Sequence, residues 1–202
     1  MKLKSTSICF SALGVLLLSL NFAAAAGLLG YNSFNAGNIT AKVSNSGLIG
    51  DTLNLLPAGW WPAGSNNSYF RVAGLWLGAS KDDGMRHSVS TALPGEFFPV
   101  AGCSTVLSTV PGAFASQELW AKFDDANSLY NAGTILNTQV TFKGYQWSLS
   151  PANNFFISEY WIKNTGDKKL TDFYVGYYCD PNVATTPTVS TNTANNVDFD
   201  RT

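Results

Sequence analysis

Charge is what this chain has least of. Only 12% of its 202 residues are Asp, Glu, Lys or Arg, and 12 Lys and Arg stand against 13 Asp and Glu. An average soluble protein carries about 25% charged residues. So few basic side chains cannot neutralise a run of phosphates, and nucleic acid drops out of the expected partners. Histidine is nearly absent too, with His87 the only one. A Ser-His-Asp triad would have to use it, and no G-x-S-x-G elbow accompanies it. On a short hairpin strand, His87 is expected at the surface. A single histidine also excludes a multi-histidine zinc site, and two separated cysteines do not rescue one. Neither glycine-rich nucleotide loop, G-x-x-x-x-G-K-[ST] or G-x-G-x-x-G, is found. No run after the first stretch is long and apolar enough for a transmembrane helix.

That first stretch, residues 1–26, reads as a secretory signal peptide. Lys2 and Lys4 form a basic start, Ile8 to Leu20 an apolar middle, and Ala23 to Ala26 a small-residue cleavage site. The apolar part is too short to span a bilayer comfortably, and Asn21 follows it. Cleavage would take the formal charge from −1 to −3 and leave two of the three cysteines, Cys103 and Cys179. Export permits a disulfide between them; two buried thiols are the alternative. The expected location is secreted or cell-surface.

What the chain has in place of charge is Asn, Thr, Ser, Gly and aromatic residues, in alternating runs that read as strands. Residues 27–202 are expected to form a single β-sandwich domain. Gly27 to Ala36 reads as a loosely held lead. Gly37 to Ser44 reads as the first strand, closed by the turn Asn45-Ser46-Gly47. Asp51 to Ser68 is irregular, broken by prolines. Tyr69 to Ala79 and Met85 to Thr91 read as a hairpin around Asp82-Asp83-Gly84. Ala115 to Asp125 fits helical or strand spacing and is taken as a strand. Thr134 to Leu149 reads as a long strand, bent at Gly144. Ala184 to Asn196 is a Thr/Asn loop. Val197 to Thr202 reads as a beginning, so the chain is expected to be the N-terminal part of a longer polypeptide.

Asn154 to Pro181 is the most aromatic stretch. Phe155 to Lys163 and Leu170 to Cys179 carry large apolar groups on both faces. With Asn164-Thr165-Gly166-Asp167 between them, they are expected to form an antiparallel hairpin in the core, Gly166 supplying a positive φ. The expected fold is all-β: an antiparallel β-sandwich of Ig-like, fibronectin-like or jelly-roll type, with about seven to ten strands.

Three chemistries remain open. Glu96, Glu118, Asp124, Asp125 and Glu159 could supply paired carboxylates for a glycosidase. Glu159 stands out because burial among aromatic neighbours would raise its pKa. The alternative is a cross-strand lysine partner or a solvated edge. Asp180, Asn182, Asp198 and Asp200 could offer oxygen ligands to calcium; the alternative is two solvated loop ends. Trp60 and Trp61 could stack on sugar rings, or could plug one end of the core.

Three segments in order carry a resemblance: GNITAKVSNSGLIG at 37–50, WWPAGSNNSYFRVAGLWLGA at 60–79 and FFISEYWIKNTGDKKLTDFYVGYYCDPNV at 155–183. Together they resemble the N-terminal β-rich region of large secreted bacterial surface proteins, many of which end in a sorting domain for type IX secretion. The segment around Asn164-Thr165-Gly166 is also similar to Ig-like or fibronectin-type modules. The resemblance implies an exported surface protein and carries over no catalytic residue. The expected function is therefore a structural or adhesive module of a larger protein, without catalysis. A carbohydrate-binding module and a fragment of a secreted glycosidase or peptidase are the alternatives. Expected partners are cell-surface components, glycans or other protein domains.

Overall fold

The plainest alternation in the chain marks its core strands. A computed structural model describes residues 29–50, 59–65, 67–82, 84–93, 95–103, 107–108, 114–127 and 135–181. Within them Gln117–Asp124 and Thr138–Gln146 are strands that bury every second side chain along their whole length. The buried face of each is apolar along its middle, with Gln117, Thr138 and Gln146 at its ends, and the other face is polar or aromatic, as expected of a sheet with one face against a core.

The strands in chain order are β1 (Tyr31–Phe34), β2 (Thr40–Ser44), β3 (Ile49–Gly50), β4 (Gly59–Trp60), β5 (Ser68–Ser80), β6 (Arg86–Ser90), β7 (Phe98–Pro99), β8 (Leu107–Ser108), β9 (Gln117–Asp124), β10 (Thr138–Gln146), β11 (Phe156–Asn164) and β12 (Thr171–Pro181). They form two antiparallel sheets packed as a sandwich. The seven-stranded sheet runs β1-β2-β3-β5-β12, with β4 bridging β2 and β5, and β6 also on β5. The five-stranded sheet runs β11-β10-β9-β7, with β8 on β9. The all-β sandwich is as the sequence indicates, with more strands because four of them are two-residue pairings.

The core lies between the sheets. Val43, Ile49, Leu75 and Leu77 face it from the first; Leu119, Phe123, Val140 and Phe142 from the second. A fully buried side chain of this kind contributes about 1.5–3 kcal/mol. Gly144 sits within β10 in unbroken register with both neighbours, so it marks no bend. Its role is room: an added Cβ would lie 2.3 Å from Cζ of the buried Phe34 ring.

Phe34 corrects a second expectation. The segment read as a loose lead contains β1, paired with β2, and Phe34 is fully buried and stacked on Phe156 at 4.7 Å. Two buried glutamines, Gln117 and Gln146, face each other across β9 and β10 and tie the loop after β1 down. Gln117 accepts from Asn35 N and donates to Ser33 O; Gln146 accepts from Ala36 N and donates to Ile39 O.

The largest correction concerns Asn154 to Pro181. It is not a hairpin. β11 pairs with β10 over nine residues, and β12 pairs with β5, so the two runs lie in different sheets. The connection between them crosses the sandwich. Thr165 donates from its N–H and its hydroxyl to Asn137 O, and Gly166 packs against the Asn137 side chain. Gly166 does not take a positive φ; an added Cβ would lie 2.9 Å from Asn137 Cβ. Nor is β12 core, since none of its residues is buried.

The hairpin of β5 and β6 is as expected, with Gly84 at φ +72° in its turn. His87 on β6 is buried, not at the surface, because its strand position opposite Ala79 faces inward. Cys103 and Cys179 are free thiols: Cys103 follows β7 of one sheet and Cys179 lies on β12 of the other. Cys103 is half-buried and Cys179 exposed, so the two-buried-thiols alternative fails as well. The expected leader, residues 1–26, lies outside the described residues. So do the Thr/Asn loop and everything after Pro181.

Candidate functional site: the outer face of the five-stranded sheet

The alternation that turns Val140 and Phe142 inward turns Thr141, Lys143 and Tyr145 outward. Antiparallel register then fixes their neighbours. Lys143 stands between Trp120 of β9 and Glu159 of β11; Tyr145 stands between Glu118 and Ile157. Just past the strand end comes Trp147, two residues on and next to Phe155, their ring centroids 6.3 Å apart.

Phe114 stands over this row. Its ring meets Tyr145 edge-on at 5.8 Å and Trp147 at 5.9 Å, while 80% of the residue remains exposed. The segment is pinned from below. Ala115 N donates to Glu118 Oε1 at 3.2 Å, and Ser148 N donates to Ser116 Oγ at 3.0 Å. Phe114, Tyr145, Trp147 and Ile157 form the apolar part of an open cleft of about 790 Å³, and Glu118, Glu159 and Lys143 the charged part.

Glu159 is ionised here. Its pKa is lowered, first by a hydrogen bond from the Trp161 side chain, then by one from Tyr145 Oη at 2.9 Å, then by the Lys143 ammonium. Desolvation on the half-buried outer face pushes the other way but is outweighed by the two hydrogen bonds, so the pKa falls rather than rises. That departs from the environment a glycosidase general acid needs. The Lys143 ammonium also lies 5.4 Å from the Trp161 ring centroid. Tyr145 is shifted up by partial burial, by its bond to Glu159 and by both carboxylates. The cleft therefore holds fixed charges of both signs among aromatic surfaces.

The raised carboxylates lie elsewhere. Asp125 is fully buried and accepts from Leu136 N at 2.6 Å and Thr138 N at 2.7 Å, closing the approach to β10. Burial raises its pKa against those bonds. Burial also raises Glu96 and Asp124, Glu96 accepting from Ser90 N and Asp124 from Ala126 N. These carboxylates tie loops to strands, and only Glu118 and Glu159 face the cleft.

The other sequence candidates fall apart in space. Trp60 is half-buried on β4. Trp61 is 45% exposed, edge-on to Tyr69 at 6.1 Å, and donates from Nε1 to Asn154 Oδ1 at 3.3 Å. Neither borders the cleft. Asp180 is half-buried near the end of β12; Asn182, Asp198 and Asp200 lie outside the described residues. Among the described residues no three carboxylate, Cys or His side chains converge as metal ligands. Of the cleft residues missed from sequence, Tyr145 and Trp147 carry a signal and Phe114 does not. Lys143, Tyr145 and Trp147 recur at every second position on the outward face of the longest alternating run. The chain matches no known protein family, no curated protein and no solved structure.

Proposed function

We propose that this is a secreted or cell-surface structural module, Ig-like and adhesive in character, that works as one piece of a larger assembly. One observation carries the reading. Both sheets end on the same side in a long strand with an open edge. Among the described residues β11 pairs only with β10 and β12 only with β5. Their side chains meet there, Tyr160 and Tyr177 with ring centroids 6.4 Å apart.

Among the described residues that side is apolar and uncovered. On β12, Val175, Tyr177 and Cys179 continue the inward face of Leu77, Leu75 and Ala73, yet Val175 is 57% and Tyr177 51% exposed. Tyr174 and Tyr178 on the other face are 70% and 40% exposed, and Trp76 beside them is 47% exposed. The Tyr160 hydroxyl lies against those of Tyr177 and Ser158 without a hydrogen bond of good geometry, and the Ser158 hydroxyl is equally unsatisfied. Buried polar groups without partners cost about 1–3 kcal/mol each. Proteins normally blunt an open edge with charge, bulges or a covering element. Here the features favour a covering polypeptide. The signal-peptide pattern, the low charge and the resemblance to large secreted surface proteins support the same reading.

Hydrogen exchange tests it. The β12 amides that face away from β5 should exchange fast in the isolated chain and slowly in the polypeptide recovered as the cell exports it. Equal, fast exchange in both preparations would remove the reading.

A further inference from the structure

The cleft lies on the outer face of the five-stranded sheet and reaches from β9 across β10 to β11, and its aromatic rings play no part in the structural reading. It needs an account of its own. Its apolar part is mostly aromatic, with Ile157 beside three rings, and Tyr145 and Trp147 are half-buried beneath an exposed Phe114. Phe114, at 80% exposure, is held in place by Ala115 N on Glu118 and the Ser116–Ser148 contacts. A ring kept at that exposure by hydrogen bonds on its own segment is a presented surface, not a core residue out of place.

The polar groups are spaced between the rings. Glu118 and Glu159 flank Tyr145 along the cleft, and Lys143 lies opposite Glu159. An anionic ligand would face two carboxylates. A cationic ligand would face the Lys143 ammonium, which already occupies the aromatic surface of Trp161. A neutral ligand with many hydroxyls meets neither conflict. Its hydroxyls donate to the carboxylates and accept from Lys143, and its C–H faces stack on the rings. The cleft is open and shallow, which suits a chain lying along it rather than a small molecule enclosed by it.

We propose that the cleft lined by Phe114, Tyr145, Trp147, Glu118, Glu159 and Lys143 is a binding site for a neutral pyranose oligosaccharide. The rings of Tyr145 and Trp147, two residues apart on β10 and its extension, offer stacking surfaces about 7 Å from one another along the strand. The Tyr145–Glu159 bond holds the carboxylate in place before the ligand arrives. Trp60 and Trp61 take no part.

The test is titration of the intact chain, followed by tryptophan fluorescence and calorimetry. The neutral probes are cellohexaose, mannohexaose and hexa-N-acetylchitohexaose; the cationic probe is the chitosan hexamer. At least one neutral probe should bind with Kd between about 10 μM and 1 mM. Phe114→Ala, an exposed position that should leave folding intact, should weaken it by about tenfold or more. Tyr145→Phe keeps the ring and should weaken it less. Trp61→Ala should leave it unchanged. No response to any neutral probe up to about 10 mM would overturn the proposal. So would binding of the chitosan hexamer alone, which would make the cleft an amine site. A loss with Trp61→Ala but not Phe114→Ala would also overturn it, by moving the site to the β4 loop.

Discussion

β10 and β12 are similar in length, nine and eleven residues, and β12 is the more aromatic of the two. Yet β10 buries every second residue and β12 buries none. The difference is position. β10 lies between β9 and β11 and has the opposite sheet over its inner face, whereas among the described residues β12 pairs with β5 alone. Apolar content makes a segment a strand; the number of elements around it decides whether that content becomes core. The sandwich is thus well packed through β2, β5, β9 and β10 and open at β11 and β12.

The largest effect should separate these two regions directly. Phe142, fully buried on β10, should cost about 3–5 kcal/mol when replaced by Ala. Tyr177→Ala on β12, half exposed, should cost under about 1 kcal/mol. Urea denaturation of both variants measures the contrast. Equal losses would mean that β12 is buried in solution and that the comparison is wrong.

Asp125 sharpens the comparison from the buried side. Asp125→Asn keeps a carbonyl acceptor for one of the Leu136 and Thr138 amides and turns an amide donor toward the other, at about 1–3 kcal/mol. It also alters the pH dependence. The folded pKa of Asp125 is raised, so between its unfolded and folded pKa the native state binds the proton more tightly. Its effect on stability is therefore most favourable below the unfolded value and is lost as pH rises through the folded one. Glu96 and Asp124 are raised by burial and act in the same sense. Denaturation midpoints across this acidic range should fall less steeply with pH in Asp125→Asn than in the parent. An unchanged slope would show that Asp125 is not the group responsible.

The sandwich was legible because its signal is local. Alternation in residues 138–146 names strand, face and core residues at once, whereas Leu119 and Phe123 fit helical spacing as well, and only the β runs around them favoured the strand that the structure shows. What could not be read was pairing. Two β runs joined by Asn164-Thr165-Gly166 look the same whether the chain doubles back or crosses to the other sheet. The deciding contact, Thr165 on Asn137, comes from 28 residues away. Tyr31–Phe34 was missed for the same reason: four residues carry too little pattern, and the glutamines that hold the following loop lie 82 and 110 residues away. The cleft was half legible. Lys143, Tyr145 and Trp147 share a face by spacing alone, but Glu118 and Glu159 join them only through register, and Phe114 only through its ring contacts.

The smallest effect on stability tests the open edge most finely. Val175 is 57% exposed at the middle of β12, on the face that would be covered if another strand lay against it. Val175→Lys should change the stability of the isolated chain by less than about 0.5 kcal/mol, because little apolar contact is lost. The same lysine places a charge where edge strands use one to prevent pairing. If the edge is a docking surface, the variant should keep the parent's denaturation midpoint and lose the slow β12 exchange expected of the assembled polypeptide. If the edge is merely exposed, midpoint and exchange will both stay where they were. A large fall in the midpoint would carry a different lesson: that Val175 already belongs to the core, and that β12 resembles β10 after all.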